Sequence, residues 1–221
     1  MRLAFALLLM VETGWSKMLT EHDITDPRIV QAFEEVRRAD FLPAGQREHE
    51  FDDRPLPIGD GQTTSQPTLI GLMVQELKLR PGCRVLEVGT GSGYQTALLA
   101  KLCDQVSSVE IIPALAARAA ERLTSLGYRN VAVKAGDGYL GWPERGPFDA
   151  IVVSAGAAKI PQPLVEQLKR GGRLVIPLGS GEDLDLAVVV KGADGKVTTT
   201  RTLKVRFVPL TGKPADQDRA R

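Results

Sequence analysis

The chain has 221 residues, 43% of them hydrophobic, which is enough for one sizeable core and short for two domains. Its 28 basic and 27 acidic residues leave a net charge of +1, so there is no electrostatic footprint for nucleic acid, which usually makes a whole domain basic. The two cysteines, Cys83 and Cys103, could form one disulfide but show no metal-ligand spacing; a reducing compartment, the cytoplasm, is expected, and no metal.

Arg2 and the apolar run 3–11 resemble a short signal peptide, but Glu12-Thr13-Gly14-Trp15 offers no small-residue cleavage pattern. The run is also far below the ~20 apolar residues that span a bilayer. Residues 1–17 are therefore expected to be an N-terminal extension, with Met10 or Met18 as the real beginning, and 18–221 a single domain. Asp26-Pro27 opens a helix with an N-cap acceptor and proline at the first position, Ile29, Phe33 and Val36 form its apolar stripe, and Phe41-Leu42-Pro43 ends it. Residues 46–67 follow neither period; a loop this long inside a domain is usually functional or disordered.

From there strands and helices alternate: helix 68–79, strand 84–88, helix 94–102, strand 106–111, helix 113–126, strand 131–135, strand 149–153, helix 161–169 and strand 173–177. Such alternation implies βαβ units and a doubly wound, mostly parallel α/β sheet. The C-terminal part differs, with an antiparallel hairpin at 186–190 and 197–203 turned by Gly192-Ala193-Asp194-Gly195, and 205–208 as a possible further strand.

The chemistry gathers at the ends of these strands. Val88-Gly89-Thr90-Gly91-Ser92-Gly93-Tyr94 joins a strand to a helix through glycines that let backbone approach a ligand closely. Alone this suits many nucleoside binders. Glu110 closes the next strand, where a carboxylate can accept hydrogen bonds from both ribose hydroxyls. Glu87, just before the first glycine, would repel a pyrophosphate but suits a cationic sulfonium. Gly136-Asp137-Gly138 ends the third strand, where Asp137 can bind an adenine amino group. Taken singly, Asp137 would be a turn residue; in register with Glu87 and Glu110 it reads as a ligand contact.

With those residues in view, the chain resembles the protein-L-isoaspartate O-methyltransferase family. The specific stretch is residues 55–67, in which Gly59-Asp60-Gly61-Gln62-Thr63-Thr64-Ser65-Gln66-Pro67 closely matches the family's Gly-x-Gly-Gln-Thr-x-Ser-x-Pro signature. Further matches are 86–96, Gly136-Asp137-Gly138 with Gly141-Trp142, 147–151, 171–174 and 206–210, so the likeness runs from about 24 to 210. Independently of it, the lack of a surplus apolar stripe outside the core elements points to a monomer, and the charge and the short apolar run to no nucleic acid and no membrane. The likeness implies a Rossmann-like class I methyltransferase fold, S-adenosylmethionine as cofactor, and proteins and peptides bearing L-isoaspartyl, with D-aspartyl as an open alternative, as substrates. It also implies that Ser65 is the active-site serine and that Gln62, Thr63 and Thr64 cover a cofactor held by Glu87, Gly89, Thr90, Gly91, Ser92, Gly93, Glu110, Asp137 and Gly138. Arg206 and Val208 would help Ser65 hold the substrate peptide. Three places depart from the usual family forms: Asp60, where an aromatic or histidine is frequent, Thr68 after Pro67, and Ser154-Ala155-Gly156. Asp60 adds negative charge near an anionic substrate.

The residue set suits carboxyl methylation. A carboxylic acid with a pKa near ~4 is already ionised at neutral pH, so no general base is needed, and the two histidines, His22 and His49, lie outside every motif. Ser65 lacks a base and orienting partner, so it orients a carboxylate rather than attacking, and it also reads as a cap for the helix near Pro67. Tyr94 and Trp142 suit an adenine pocket but more often serve the core. The rival readings are a nucleic-acid or small-molecule methyltransferase and an inactive cofactor-binding adaptor. Ser154-Ala155-Gly156-Ala157 argues against base methylation, since it lacks an Asp/Asn-Pro-Pro-Tyr type segment.

Overall fold

A computed structural model of the protein describes residues 14–212. The run 1–13, and with it the proposed alternative start at Met10, lies outside the described residues. Helix α1 (Gly14–Glu21) buries Trp15 and Leu19, and Trp15 packs edge-on against Phe33 of α2 (Pro27–Glu35). Asp26 caps α2 by accepting from the Arg28 N–H, as its sequence context implied.

The central sheet has seven strands: β3 (Arg84–Val88), β4 (Gln105–Glu110), β5 (Val131–Ala135), β6 (Phe148–Val153), β7 (Leu168–Ser180), β8 (Asp183–Lys191) and β9 (Val197–Val205). Their spatial order is β5-β4-β3-β6-β7-β8-β9, with β3 to β7 parallel and β8 and β9 antiparallel. The expected fold is what forms. Alternation along the central strands sends side chains to two cores. Val85, Val106, Val152 and Val175 pack with α1, α2, α3 (Pro67–Glu76) and α4 (Tyr94–Leu102). Leu86, Val88, Ile151, Val153 and Leu174 pack on the other face with Leu164 of α6 (Gln162–Gln167). Burying the strands on both faces is why they read as continuous apolar runs. Helix α5 (Pro113–Ser125) returns from β4 to β5.

Several expectations need correction. The stretch 46–67 contains a two-stranded antiparallel sheet, β1 (Leu56–Gly59) and β2 (Gln62–Thr64), separate from the main sheet. Strands of four and three residues, one holding Pro57, are too short to show a period of two. The first predicted helix stops at Glu35, because Val36 turns extended and Arg38–Phe41 forms a 3₁₀ turn. Strand β7 starts at Leu168 rather than 173, passing Gly171 at φ 79° through a break in register against β6. Residues 205–208 add no strand; β9 ends at Val205 and Pro209 makes one bridge to Gly156.

Cys83 and Cys103 form a disulfide with their Cα atoms 4.8 Å apart. It closes the base of the β3–glycine-loop–α4 unit and weighs against the reducing compartment expected from the cysteine count.

Candidate active site

Strand order reverses beside β3, since β4 and β6 flank it, and the crevice at such a switch point is where open α/β sheets bind ligands. A cleft opens there, at the carboxyl ends of β3, β4 and β6. Its floor is Gly89, Thr90, Gly91 and Ser92, its rim Glu110 and Gly138, and its cover Ile58 and Gln62 to Ser65. Gly89, Gly91 and Gly93 all have positive φ, a turn that other residues enter only with strain.

Glu110 is 5% exposed, and its two oxygens accept from the N–H groups of Gly91 (2.9 Å) and Ile112 (3.0 Å). Each oxygen keeps a second lone pair, so the carboxylate is fixed yet still able to accept from a vicinal diol. This donor and acceptor set fits the nucleoside end of S-adenosylmethionine.

Glu87 lies one layer deeper. It is fully buried, does not line the cleft, and accepts from Gln95 Nε2 (3.1 Å), Thr96 Oγ1 (2.5 Å) and Ser108 Oγ (2.6 Å). Ser108 in turn shares a 2.5 Å hydrogen bond with Thr90, so Glu87 anchors the loop from behind rather than standing beside a ligand. Burial is the largest influence on its carboxyl and pushes the pKa up from 4.5 to about 7. The native state therefore holds this proton more tightly than the unfolded chain does. The resulting stability is fullest below pH ~4.5 and is lost as pH rises to ~7, about 3 kcal/mol in all. Glu87→Gln, neutral throughout, should flatten the dependence of melting temperature on pH between ~5 and ~8. A variant as pH-sensitive as wild type would show that Glu87 is ionised over the whole range.

Other sequence-based candidates separate cleanly. Gln62, Thr63, Thr64, Ser65, Gly89, Thr90, Gly91, Ser92, Glu110, Gly138 and Val208 share the cleft. Gly93, Asp137 and Arg206 do not line it. Gly93 precedes α4 and packs near Leu123. Asp137 accepts from the Tyr139 N–H at 2.9 Å and is overlaid by Gly212. Arg206 points outward, 86% of its side chain exposed, near Glu182 at 3.9 Å. Ser65 is not a helix cap: Gln66 holds that position without a side-chain bond, and Asp53 accepts from the Thr68 N–H at 2.9 Å instead. Thr68 is buried and donates to Asp53 at 2.8 Å, away from the cleft. Tyr94 both lines the cleft and packs on Phe33 and Phe41, whereas Trp142 lies under Lys134 and Arg145, outside it.

Several participants escaped the sequence reading. Gln95 donates to both Glu87 and Ser154 Oγ (3.0 Å), locking the loop to the end of β6; the polar pair Gln95-Thr96 at the start of α4 was the available sign. Arg38, 1% exposed, donates to the carbonyls of Glu50, Asp52, Arg54 and Ser65 and so ties the covering segment together from below. Asp53 and Arg118 hold the same segment at other points. These three partner backbone or residues distant in sequence, so no local pattern marks them.

The model of the family described as protein-L-isoaspartate(D-aspartate) O-methyltransferase matches residues 15–215. Protein-L-isoaspartate O-methyltransferase 1 of Cupriavidus necator is 51% identical over 189 residues, which cover 85% of this chain and 73% of that protein. The Myxococcus xanthus protein-L-isoaspartate O-methyltransferase is 47% identical over 211 residues, 94% of this chain and all of that one. Among solved structures, a protein-L-isoaspartate O-methyltransferase superposes with a TM-score of 0.82 at 32% identity, covering 89% of this chain and 64% of that one. A Plasmodium falciparum protein described as a putative protein-L-isoaspartate O-methyltransferase, in complex with S-adenosyl-L-homocysteine, gives 0.78 at 27% identity, covering 88% and 95%. A match of this extent, through the signature hairpin as well as the general fold, leaves one assignment: the chain belongs to the protein-L-isoaspartate(D-aspartate) O-methyltransferase family.

Proposed function

We propose that this protein methylates the free carboxylate of L-isoaspartyl residues in damaged proteins and peptides, with S-adenosylmethionine as donor and D-aspartyl residues as a second substrate class. The observation that carries the reading is the meeting of Gln62 to Ser65 with Glu110 and the glycine loop in one cleft. When bound, S-adenosylmethionine supplies a methyl group made electrophilic by its sulfonium. Glu110 would hold the ribose hydroxyls and the backbone of Gly89 to Ser92 would lie along the cofactor. The cover excludes water, which otherwise stabilises a separated anion and cation more than the partly neutralised transition state. Ser65 hydrogen-bonds the incoming carboxylate and fixes its approach; no residue needs to remove a proton.

Transfer of a labelled methyl group to an isoaspartyl peptide, with the aspartyl peptide as control, tests the proposal. Labelling of neither, or of both equally, would sink it. Ser65→Ala should lower kcat on the order of 10- to 100-fold, the worth of one hydrogen bond to a charged group, while S-adenosylhomocysteine affinity stays within about twofold. Turnover at the wild-type level would leave Ser65 a spacer. Two of the departures from the usual family forms, Asp60 and Thr68, have structural partners that keep the cover in place, so neither favours an inactive adaptor. The enzyme works as one domain that includes α1 from Gly14, since Trp15 packs into the core ahead of the boundary expected at 18, and as a monomer, without nucleic acid, in keeping with its near-neutral charge. No helix among the described residues is long and apolar enough to cross a membrane. A cytoplasmic site of action suits the low cysteine number, and a persistent Cys83–Cys103 bond suits an oxidising one; thiol alkylation in freshly lysed cells decides between them.

A further inference from the structure

The β1–β2 hairpin is fixed at its base and held again at its tip. At the base, Arg38 donates to the carbonyls of Arg54 (2.9 Å) and Ser65 (3.4 Å). Between base and tip, Ile58 rests on the glycine loop, its Cδ1 3.2 Å from where a Cβ on Gly91 would stand. At the tip, Gly59, Asp60 and Gly61 all take positive φ, of 94°, 50° and 70°. Asp60 is the non-glycine among them, and aspartate tolerates this region better than most residues. Its carboxylate accepts from Arg118 Nη2 on α5. Among the described residues this is the one ion pair joining the hairpin to the body of the domain. One turn further along α5, Arg122 donates to the Ser92 carbonyl at 2.8 Å. Helix α5 thus grips the cover with one arginine and the floor of the cleft with the next.

We infer that Asp60 and Arg118 are positioning residues, a latch that holds the signature hairpin down over the bound cofactor and opens to let cofactor and product exchange. The inference rests on the proposed function, in which Gln62 to Ser65 are the cover. It also removes the difficulty of Asp60's charge, which Arg118 neutralises before any substrate carboxylate arrives. A half-exposed ion pair is worth little in water and less in salt. That weakness suits a latch that must release on every turnover.

The test is the dissociation rate of S-adenosylhomocysteine, by stopped flow without peptide, for wild type, Asp60→Asn, Arg118→Gln, the double variant and Arg118→Lys. Asparagine keeps the tolerance for positive φ, so Asp60→Asn removes charge without straining the turn. Breaking the pair should raise the dissociation rate about 2- to 5-fold at low salt. It should also abolish the acceleration that wild type shows as salt increases. The double variant should be no faster than either single one, and Arg118→Lys should restore most of the slow release. KM for the cofactor should rise with kcat changed less than about twofold. Unchanged release in Asp60→Asn, or additive effects in the double variant, would overturn the latch while leaving cofactor binding intact. Failure of wild type to bind S-adenosylhomocysteine at all would overturn the proposed function instead, and the latch with it.

Discussion

Replacing Arg38 with methionine is expected to cost about 3 kcal/mol or more of stability and to lower kcat roughly 100-fold. Arg38 is among the largest fully buried side chains, and its guanidinium spans four carbonyls between Glu50 and Ser65. Burial pulls its pKa down, although Asp53 and Asp52 nearby act the other way, so the charge is held at a cost that its hydrogen bonds offset. Methionine fills a similar volume but leaves the carbonyls without donors. The segment from Asp52 to Ser65 then loses its common anchor, and a shift of an ångström at Ser65 is enough to spoil alignment with the methyl group. Thermal melts and kcat on an isoaspartyl peptide check both parts. Arg38→Lys, which keeps one donor and the charge, should recover part of the stability and less of the rate. A methionine variant with wild-type kcat would mean that the cover holds its shape by its own hairpin alone.

Reduction of Cys83–Cys103 is the second large effect. The bond joins residues 20 apart, and the loop it closes contains β3, the glycine loop and α4. Chain-entropy arguments assign a loop of that length about 3 kcal/mol. For a domain of this size that corresponds to a fall in melting temperature on the order of 6–12 °C. Parallel melts with and without a membrane-permeant reductant, and the Cys83→Ser/Cys103→Ser double variant under non-reducing conditions, measure it. Both thiols are buried, so folded protein should resist alkylation even after slow reduction. Equal melting temperatures in all three samples would show that the two sulfurs contribute packing and nothing more. The floor of the cleft is carried on the same unit, so S-adenosylhomocysteine affinity should weaken along with stability.

Much of the molecule was open to reading from its order of residues. Helix α4 at Tyr94 to Leu102 and β3 at Arg84 to Val88 are legible because each is mostly apolar and lies next to the glycine-rich turn that separates them. Glu110 and the glycine loop read as one site because spacing along βαβ units translates directly into adjacency at strand ends, whereas Gln62 to Ser65 join it only through the resemblance to the family signature. The signals behind these readings are local: periodicity, glycine conformations and motif spacing.

Three-dimensional packing decided the rest. Whether Glu87 faces a ligand or the interior depends on which way one strand residue points, and the pleat sent it to Gln95, Thr96 and Ser108. Arg38, Asp53 and Arg118 acquired roles only because separate segments came to lie against them. Asp60 illustrates the division most plainly. In sequence it is an unbalanced negative charge beside a site for an anion; in the fold, a helix that begins more than fifty residues later brings the arginine that neutralises it. A residue's charge belongs to its sequence, but the energy of that charge depends on its neighbours at a few ångströms, which folding alone supplies.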